Sequence, residues 1–293
     1  MNDQDRMDAA LAGMKAEGLE MVIAFSNAAH HIEKPEAIAL LSGLKPMGPS
    51  AVVLEVGGNA SLIVTPAWDA PRAARISRTQ SSAATDDLGE ALSAMLKGKL
   101  PPVDRIGVVA LDVMAQSLAA QVLDLLGGEP KNAGKLIFGT ASIKTDEEME
   151  YAIKATEIAE RGYEHMLEIC KPGMSECELA LRMRVQMKSI GADDNFLMLH
   201  GTDHPLAVQP SGERVFVKGD LILAEITPSY KGQFAQVCRT AALGPPSAEQ
   251  VEKYDLVVRA MKKGIEAARP GTAIVVPRIS AIESRKALAV FSR

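Results

Sequence analysis

The stretch from Lys218 to Thr240, KGDLILAEITPSYKGQFAQVCRT, constrains this chain more than any other. Its apolar run, Leu221 to Ala224, predicts a strand that delivers Glu225 to its end. A turn around Pro228 and Gly232 follows, then a second extended segment that carries Gln236 and ends in Arg239-Thr240. Two strands joined by such a turn bring positions 225 and 236 together, although they lie eleven residues apart. A hairpin of this kind builds one site from two chain segments, here a carboxylate and a carboxamide.

At 293 residues the length favours two domains, each able to bury its own core. The first part of the chain alternates helix and strand patterns. Asp3 to Glu17 has helical periodicity and leads into the apolar run Met21 to Phe25. Ala51 to Glu55 and Ser61 to Thr65 flank Gly57-Gly58-Asn59, residues that tolerate the positive φ of a hairpin turn. Asp86 to Leu96 reads as a helix, Arg105 to Leu111 as a strand, and Val113 to Leu126 as a helix stopped by Gly127-Gly128. Lys135 to Phe138 closes the set, a mixed α/β domain over residues 1–140.

Residues 141–293 open on Thr145 and Glu148, a capping box that starts a long amphipathic helix to about Ile169. Pro172-Gly173 ends it, and Ser175 with Glu178 caps the next helix, which runs to about Ser189. After the 218–240 hairpin, a last helix covers about Ser247 to Ala268 and stops at Arg269-Pro270-Gly271. The architecture expected is α/β followed by α+β.

Charge and cysteine usage exclude several classes. With 32 basic and 37 acidic residues the net charge is −5, and no basic stripe points to nucleic acid. The cluster Arg259, Lys262, Lys263 reads as a solvated helix face. No stretch approaches the ~20 apolar residues needed to span a bilayer, and the charged N-terminus is unlike a signal peptide. Cys170, Cys177 and Cys238 have no zinc-like spacing. A reduced, cytoplasmic protein is expected.

The candidate site residues each carry two readings. Glu225 is a metal ligand or acid–base carboxylate, or else pairs with an arginine such as Arg239. Gln236 orients a substrate amide, or is a satisfied strand glutamine. His204, beside Asp203, is a proton shuttle or a turn-stabilising histidine, and His200 is a weaker candidate for substrate contact. His30, His31 and His165 read as structural. Cys238 is a nucleophile if a base lies near it, or a buried packing residue.

Several segments in order resemble the pita-bread hydrolases: aminopeptidase P, prolidase, methionine aminopeptidase and creatinase. They are IKTDEEMEYAIKATEIAERGYEHML at the first helix of that fold, KPGMSECELA at the next helix start, KGDLILAEI at the Gly-Asp strand, and CRTAALG at the Arg-Thr strand. The resemblance implies a creatinase-type N-terminal domain over residues 1–140. An incomplete pita-bread domain follows over 141–293, divergent after 271, in a truncated family member. The metallopeptidase relatives hold two divalent ions with two Asp, one His and two Glu. Glu225 and Gln236 occupy the places of the two Asp, and the remaining ligands fall beyond the end of this chain.

A neutral amide oxygen is a weak ligand for a hard cation. The expectation is therefore no metal cofactor, with Mn, Co or Zn as the alternative. Creatinase is a metal-free precedent in the family, but Cys238 replaces one of its glutamates and its histidine aligns near Val208 and Gln209. The resemblance implies a hydrolase of a C–N bond in an amide, amidine or peptide. Glu225, Gln236 and His204 would be catalytic, with His200 and Arg239 contacting substrate. The alternative is an inactive binding or dimerisation remnant. A small-molecule or peptide substrate and a homodimer are the expected partners, with the tail segments AIVV and ALAVF covering an exposed face or pairing with another chain.

Overall fold

A computed structural model describes residues 3–29, 36–203 and 207–273. The chain divides into two compact units, Met1–Glu150 and Tyr151–Arg293. The tail segments AIVV and ALAVF lie, but for Ala273, outside the described residues.

In the first unit the elements run α1 (Asp3–Ala16), β1 (Met21–Ser26), α2 (Ala37–Ser42), β2 (Ser50–Glu55), β3 (Ala60–Val64), α3 (Ala70–Ile76), β4 (Ser81–Ala84), α4 (Leu88–Leu96), β5 (Ile106–Val109), α5 (Gln116–Leu126), β6 (Lys131–Asn132) and α6 (Gly134–Gly139). The six strands form one sheet in the order β4-β3-β2-β1-β5-β6. The pairs β1–β2 and β2–β3 are antiparallel; the other three pairs are parallel. Every residue of β1 is buried, because helices cover both faces of the sheet. Val22 and Ala24 pack with Ala10, Met14, Ile38 and Ile137, while Ile23 and Phe25 pack with Leu88, Leu92, Leu96 and Val122 on the other face.

Local chemistry explains several boundaries. The β2–β3 turn closes through Gly58, at φ 94, whose N–H donates to the Glu55 carbonyl at 2.8 Å. The strand expected from Arg105 to Leu111 is shorter, Ile106–Val109, because Ala110 takes a left-handed conformation and breaks the ladder. Lys135–Phe138 lies inside the short helix α6. Gly127, also left-handed, caps α5.

The remaining elements are α7 (Asp146–Ile169), α8 (Glu176–Ser189), β7 (Asp194–Thr202), β8 (Leu221–Tyr230), β9 (Gln233–Phe234), β10 (Val237–Ala242) and α9 (Ala248–Ala267). The Thr145 hydroxyl accepts from the Glu148 N–H at 3.1 Å, and the Glu148 carboxylate accepts from the Thr145 N–H at 2.8 Å, so α7 opens on a reciprocal capping box. Arg6 of α1 donates two hydrogen bonds to that same Glu148 carboxylate, at 2.8 and 2.6 Å, which ties the first turn of α7 into the first unit.

The second sheet is antiparallel, ordered β10-β8-β7, with β9 paired to β8. Its helix-covered face packs Leu197, Leu199, Ile222, Ala224 and Ile226 against Ile158, Met166, Leu179, Met183 and Met187 of α7 and α8. Among the described residues no helix is long and apolar enough to cross a membrane.

One expectation about the hairpin is corrected. Glu225 lies in the middle of β8, not at its end, and the turn is confined to Lys231-Gly232, both with positive φ. The apolar run stops at Ala224, but the strand continues. Glu225, Thr227 and Ser229 alternate with Ile226 and Pro228, a period of two that a search for continuous apolar character misses.

Candidate active site on the open face of the second sheet

Successive strand residues point to opposite faces. Since Ile222, Ala224 and Ile226 meet the helices, Leu223 and Glu225 point the other way. The ladder sets Met198 opposite Glu225 and His200 opposite Leu223 on one side, and Cys238 opposite Glu225 and Thr240 opposite Leu223 on the other. One open face thus carries Met198, His200, Glu225, Cys238 and Thr240.

Gln236, in the link between β9 and β10, reaches back to this face. Its Nε2 donates to Oε1 of Glu225 at 2.5 Å. Positions 225 and 236 therefore meet as the hairpin reading expected. Glu225 is half-buried and Gln236 exposed. Two hydroxyls further along the same row of β8, Thr227 Oγ1 and Ser229 Oγ, are buried and lack a hydrogen-bond partner among the described residues.

Arg239 is not part of this arrangement. It alternates to the helix face, where its guanidinium stands 5.8 Å from the centre of the Tyr163 ring and its Nη1 donates to the Cys238 carbonyl. The alternative in which Arg239 neutralises Glu225 fails because the two point to opposite faces. Cys238 is exposed, not a buried packing residue. Although the thiol reaches solvent, partial loss of hydration pushes its pKa up, the Glu225 charge adds to the rise, and Arg239 offsets only part of it.

His200 is held from behind. Its Nδ1 lies 3.2 Å from Oε1 of Glu176, the first residue of α8. Glu176 is buried, and its two oxygens accept from the N–H groups of Gly201 at 2.8 Å and Gly212 at 2.9 Å. Asp220, also buried, accepts two hydrogen bonds from Arg214 at 2.8 Å and a third from the Val217 N–H at 2.8 Å. The Arg214 bonds hold the Asp220 carboxyl below its ordinary range, against the opposing effect of burial.

Sequence reasoning missed Glu176 and Asp220. The available signal was an acidic residue on the first turn of a capped helix for one and the Gly-Asp pair before β8 for the other. His204, His30 and His31 lie outside the described residues. His165 sits on α7 beside Glu168, at 3.6 Å, away from the open face.

Comparison with known proteins adds the family context. Residues 150–279 match the metallopeptidase family M24. An uncharacterized peptidase, YqhT, of Bacillus subtilis is 31% identical over 132 residues, which are 44% of this chain and 37% of that protein. The Xaa-Pro dipeptidase of Pyrococcus furiosus is 31% identical over 132 residues, 44% of this chain and 38% of that protein. The aligned chain thus spans under two fifths of the length of these two relatives. The prolidase from Pyrococcus horikoshii shares the fold, with a TM-score of 0.78 at 21% identity over 91% of this chain and 73% of that one.

The family overturns the expectation of a chain with no cofactor, because it is a family of metallopeptidases and implies a divalent metal. The residues described here do not fit a two-metal centre. Among the described residues no three His, Cys, Asp or Glu side chains are grouped to hold an ion. At the hairpin there is one carboxylate, and its partner is a neutral carboxamide, which offers a cation an uncharged oxygen where a two-metal centre needs a second carboxylate.

Proposed function

Residues 150–279 belong to metallopeptidase family M24, the creatinase, aminopeptidase P and prolidase group of pita-bread hydrolases, and from that premise we propose that this chain hydrolyses a C–N bond of a small peptide or amide on the open face of its second sheet. The hydrogen bond from Gln236 to Glu225 carries the reading. It engages one carboxylate oxygen and leaves the other to take a proton from an attacking water and return it to the departing amine. The carboxamide oxygen of Gln236 remains to accept from a substrate N–H. His200, fixed by Glu176, supplies a further contact on the same face. Three free thiols support a reducing, cytoplasmic setting.

A second reading, ligand binding without turnover, is favoured by one observation. A carboxamide at position 236 supplies neither charge nor a proton-accepting group of carboxylate strength. One experiment separates the two. Wild type and Glu225→Gln are assayed against Xaa-Pro dipeptides, amides and amidines, with and without added Mn²⁺, Co²⁺ or Zn²⁺, and binding is followed by calorimetry. Turnover in wild type that falls about a hundredfold or more in Glu225→Gln, with binding retained, supports hydrolysis. Binding without turnover in both supports the second reading, and neither binding nor turnover removes both.

A further inference from the structure

Two side chains beside the candidate site are buried without a bond to make. Thr227 is 2% exposed and Ser229 is fully buried, and neither hydroxyl has a hydrogen-bond partner among the described residues. A buried polar group left unpaired is costly, and native structures keep few of them. Both lie on the row of β8 that carries Glu225, two and four residues further along. A rise of about 3.3 Å per residue puts them roughly 7 and 13 Å from Glu225 along the strand. The ladders fix the neighbours of Thr227. Ile226 faces Val237 and Ser229 faces Phe234, which leaves Gln236 at the level of Thr227 on one side, while Phe196 stands opposite on the other. The Phe196 ring offers no acceptor of carboxylate strength. Glu225 does, because Gln236 engages its Oε1 and no hydrogen bond engages its Oε2 among the described residues.

We propose that Thr227 is a positioning residue for Glu225, its hydroxyl donating to Oε2 of that carboxylate when the Glu225 side chain turns along the strand toward it. The carboxylate is then held on both oxygens, by Gln236 Nε2 on one and by Thr227 Oγ1 on the other. An extended glutamate side chain covers most of a gap of about 7 Å, so the backbone need not move. Each carboxylate oxygen has two lone pairs, so Oε2 accepts from Thr227 and keeps one for the proton of an attacking water. A bond to a charged acceptor is stronger than one between neutral groups, and this one removes the cost of the buried hydroxyl. Fixing the oxygen matters because a general base acts only within hydrogen-bond reach of the proton that it takes. Ser229, twice as far along the strand, is out of reach and serves as the control. The consequence for turnover rests on the hydrolytic reading of Glu225; the contact itself does not.

Three variants of the full chain test this. Thr227→Val keeps the shape and loses the hydroxyl, Thr227→Ser keeps the hydroxyl, and Ser229→Ala removes the other one. Urea midpoints are measured for each, with kcat and KM on the dipeptide alanyl-proline with and without Mn²⁺. Midpoints are measured again for Thr227→Val in a Glu225→Leu background. With the contact in place, Thr227→Val lowers the midpoint in the wild-type background and not beside Glu225→Leu. Its kcat falls at least about tenfold with KM within about twofold of wild type, and Thr227→Ser recovers most of the loss. Ser229→Ala leaves kcat unchanged. A hydroxyl that bonds nothing gives the opposite sign, since a methyl group in its place relieves a buried polar atom. A midpoint raised by Thr227→Val therefore overturns the proposal. So does a lowered midpoint with kcat unchanged, or a Thr227→Ser variant as slow as Thr227→Val. A wild type that hydrolyses no dipeptide removes the hydrolytic reading and the positioning role with it, while the midpoints alone still decide whether Thr227 binds Glu225.

Discussion

Cys238 stands directly opposite Glu225 across the β8–β10 pair, on the same open face. This makes the thiol a reporter of the carboxylate. Loss of hydration and then the Glu225 charge push the Cys238 pKa up, so little thiolate exists near neutrality and a nucleophilic role is disfavoured. Replacing Glu225 with Gln removes the charge and keeps the shape. Alkylation of Cys238 by iodoacetamide at neutral pH, followed by mass spectrometry, should then accelerate several-fold. Cys177 is exposed on α8 and serves as the internal control, while Cys170 is pushed up to about 11 by burial and Asp220 and should stay silent. No acceleration at Cys238, or an equal one at Cys177, would show that Glu225 does not govern this face.

The pair Arg6–Glu148 lies at the start of α7, with side-chain exposures of only 4% and 18%. Burial by itself raises the Glu148 pKa, but the hydrogen bonds from Arg6 and the Thr145 N–H outweigh it, and the net direction is down. A depressed carboxyl contributes stability that is complete above the ordinary glutamate value, about 4.3, and is lost as pH falls through the lower folded value. Asp220 behaves in the same way in the second unit. Arg6→Ala should cost roughly 3 kcal/mol at neutral pH, at the lower end for a broken buried pair because Glu148 keeps some water. Its stability should also fall less steeply in acid than wild type. Urea midpoints at pH 7 and through a series down to pH 3 check both, and parallel curves of equal midpoint would show that the pair contributes nothing.

What the sequence exposed and what it hid divide along the range of the interaction. The caps at Thr145 and Ser175, the Gly58 turn and the stop at Gly127 are set by residues a few positions apart, and each reads directly from the chain. The meeting of Glu225 and Gln236 was also legible, since a hairpin is a local fold. Hydrophobic runs failed where a strand buries one face and alternates polar residues on the other, which is why β8 extends to Tyr230. The side of the sheet taken by Arg239 depends on the β8–β10 register, and that register follows from the turn at Lys231-Gly232 rather than from composition. Glu176 binds Gly201 and Gly212 across distances of 25 and 36 residues, beyond any local pattern.

Of the two departures from the family's metal chemistry at this hairpin, Glu225 keeps a carboxylate and Gln236 does not, and the loss at 236 can be tested by restoring one. In wild type the Gln236 N–H satisfies Glu225, so the pair is neutral in its hydrogen bonding and carries a single negative charge. Gln236→Asp removes the donor and sets two carboxylates side by side, where like charges raise each other's pKa and lower stability. A divalent cation relieves that repulsion by accepting both oxygens. The variant should therefore unfold at a lower temperature than wild type in the presence of a chelator. On titration with Mn²⁺ it should recover by more than wild type gains, with a calorimetric affinity at least about tenfold tighter, or 1.4 kcal/mol. An equal Mn²⁺ response in the two proteins would mean that residues other than 225 and 236 dominate cation binding, and that Gln236 is not what separates this hairpin from a carboxylate metal site.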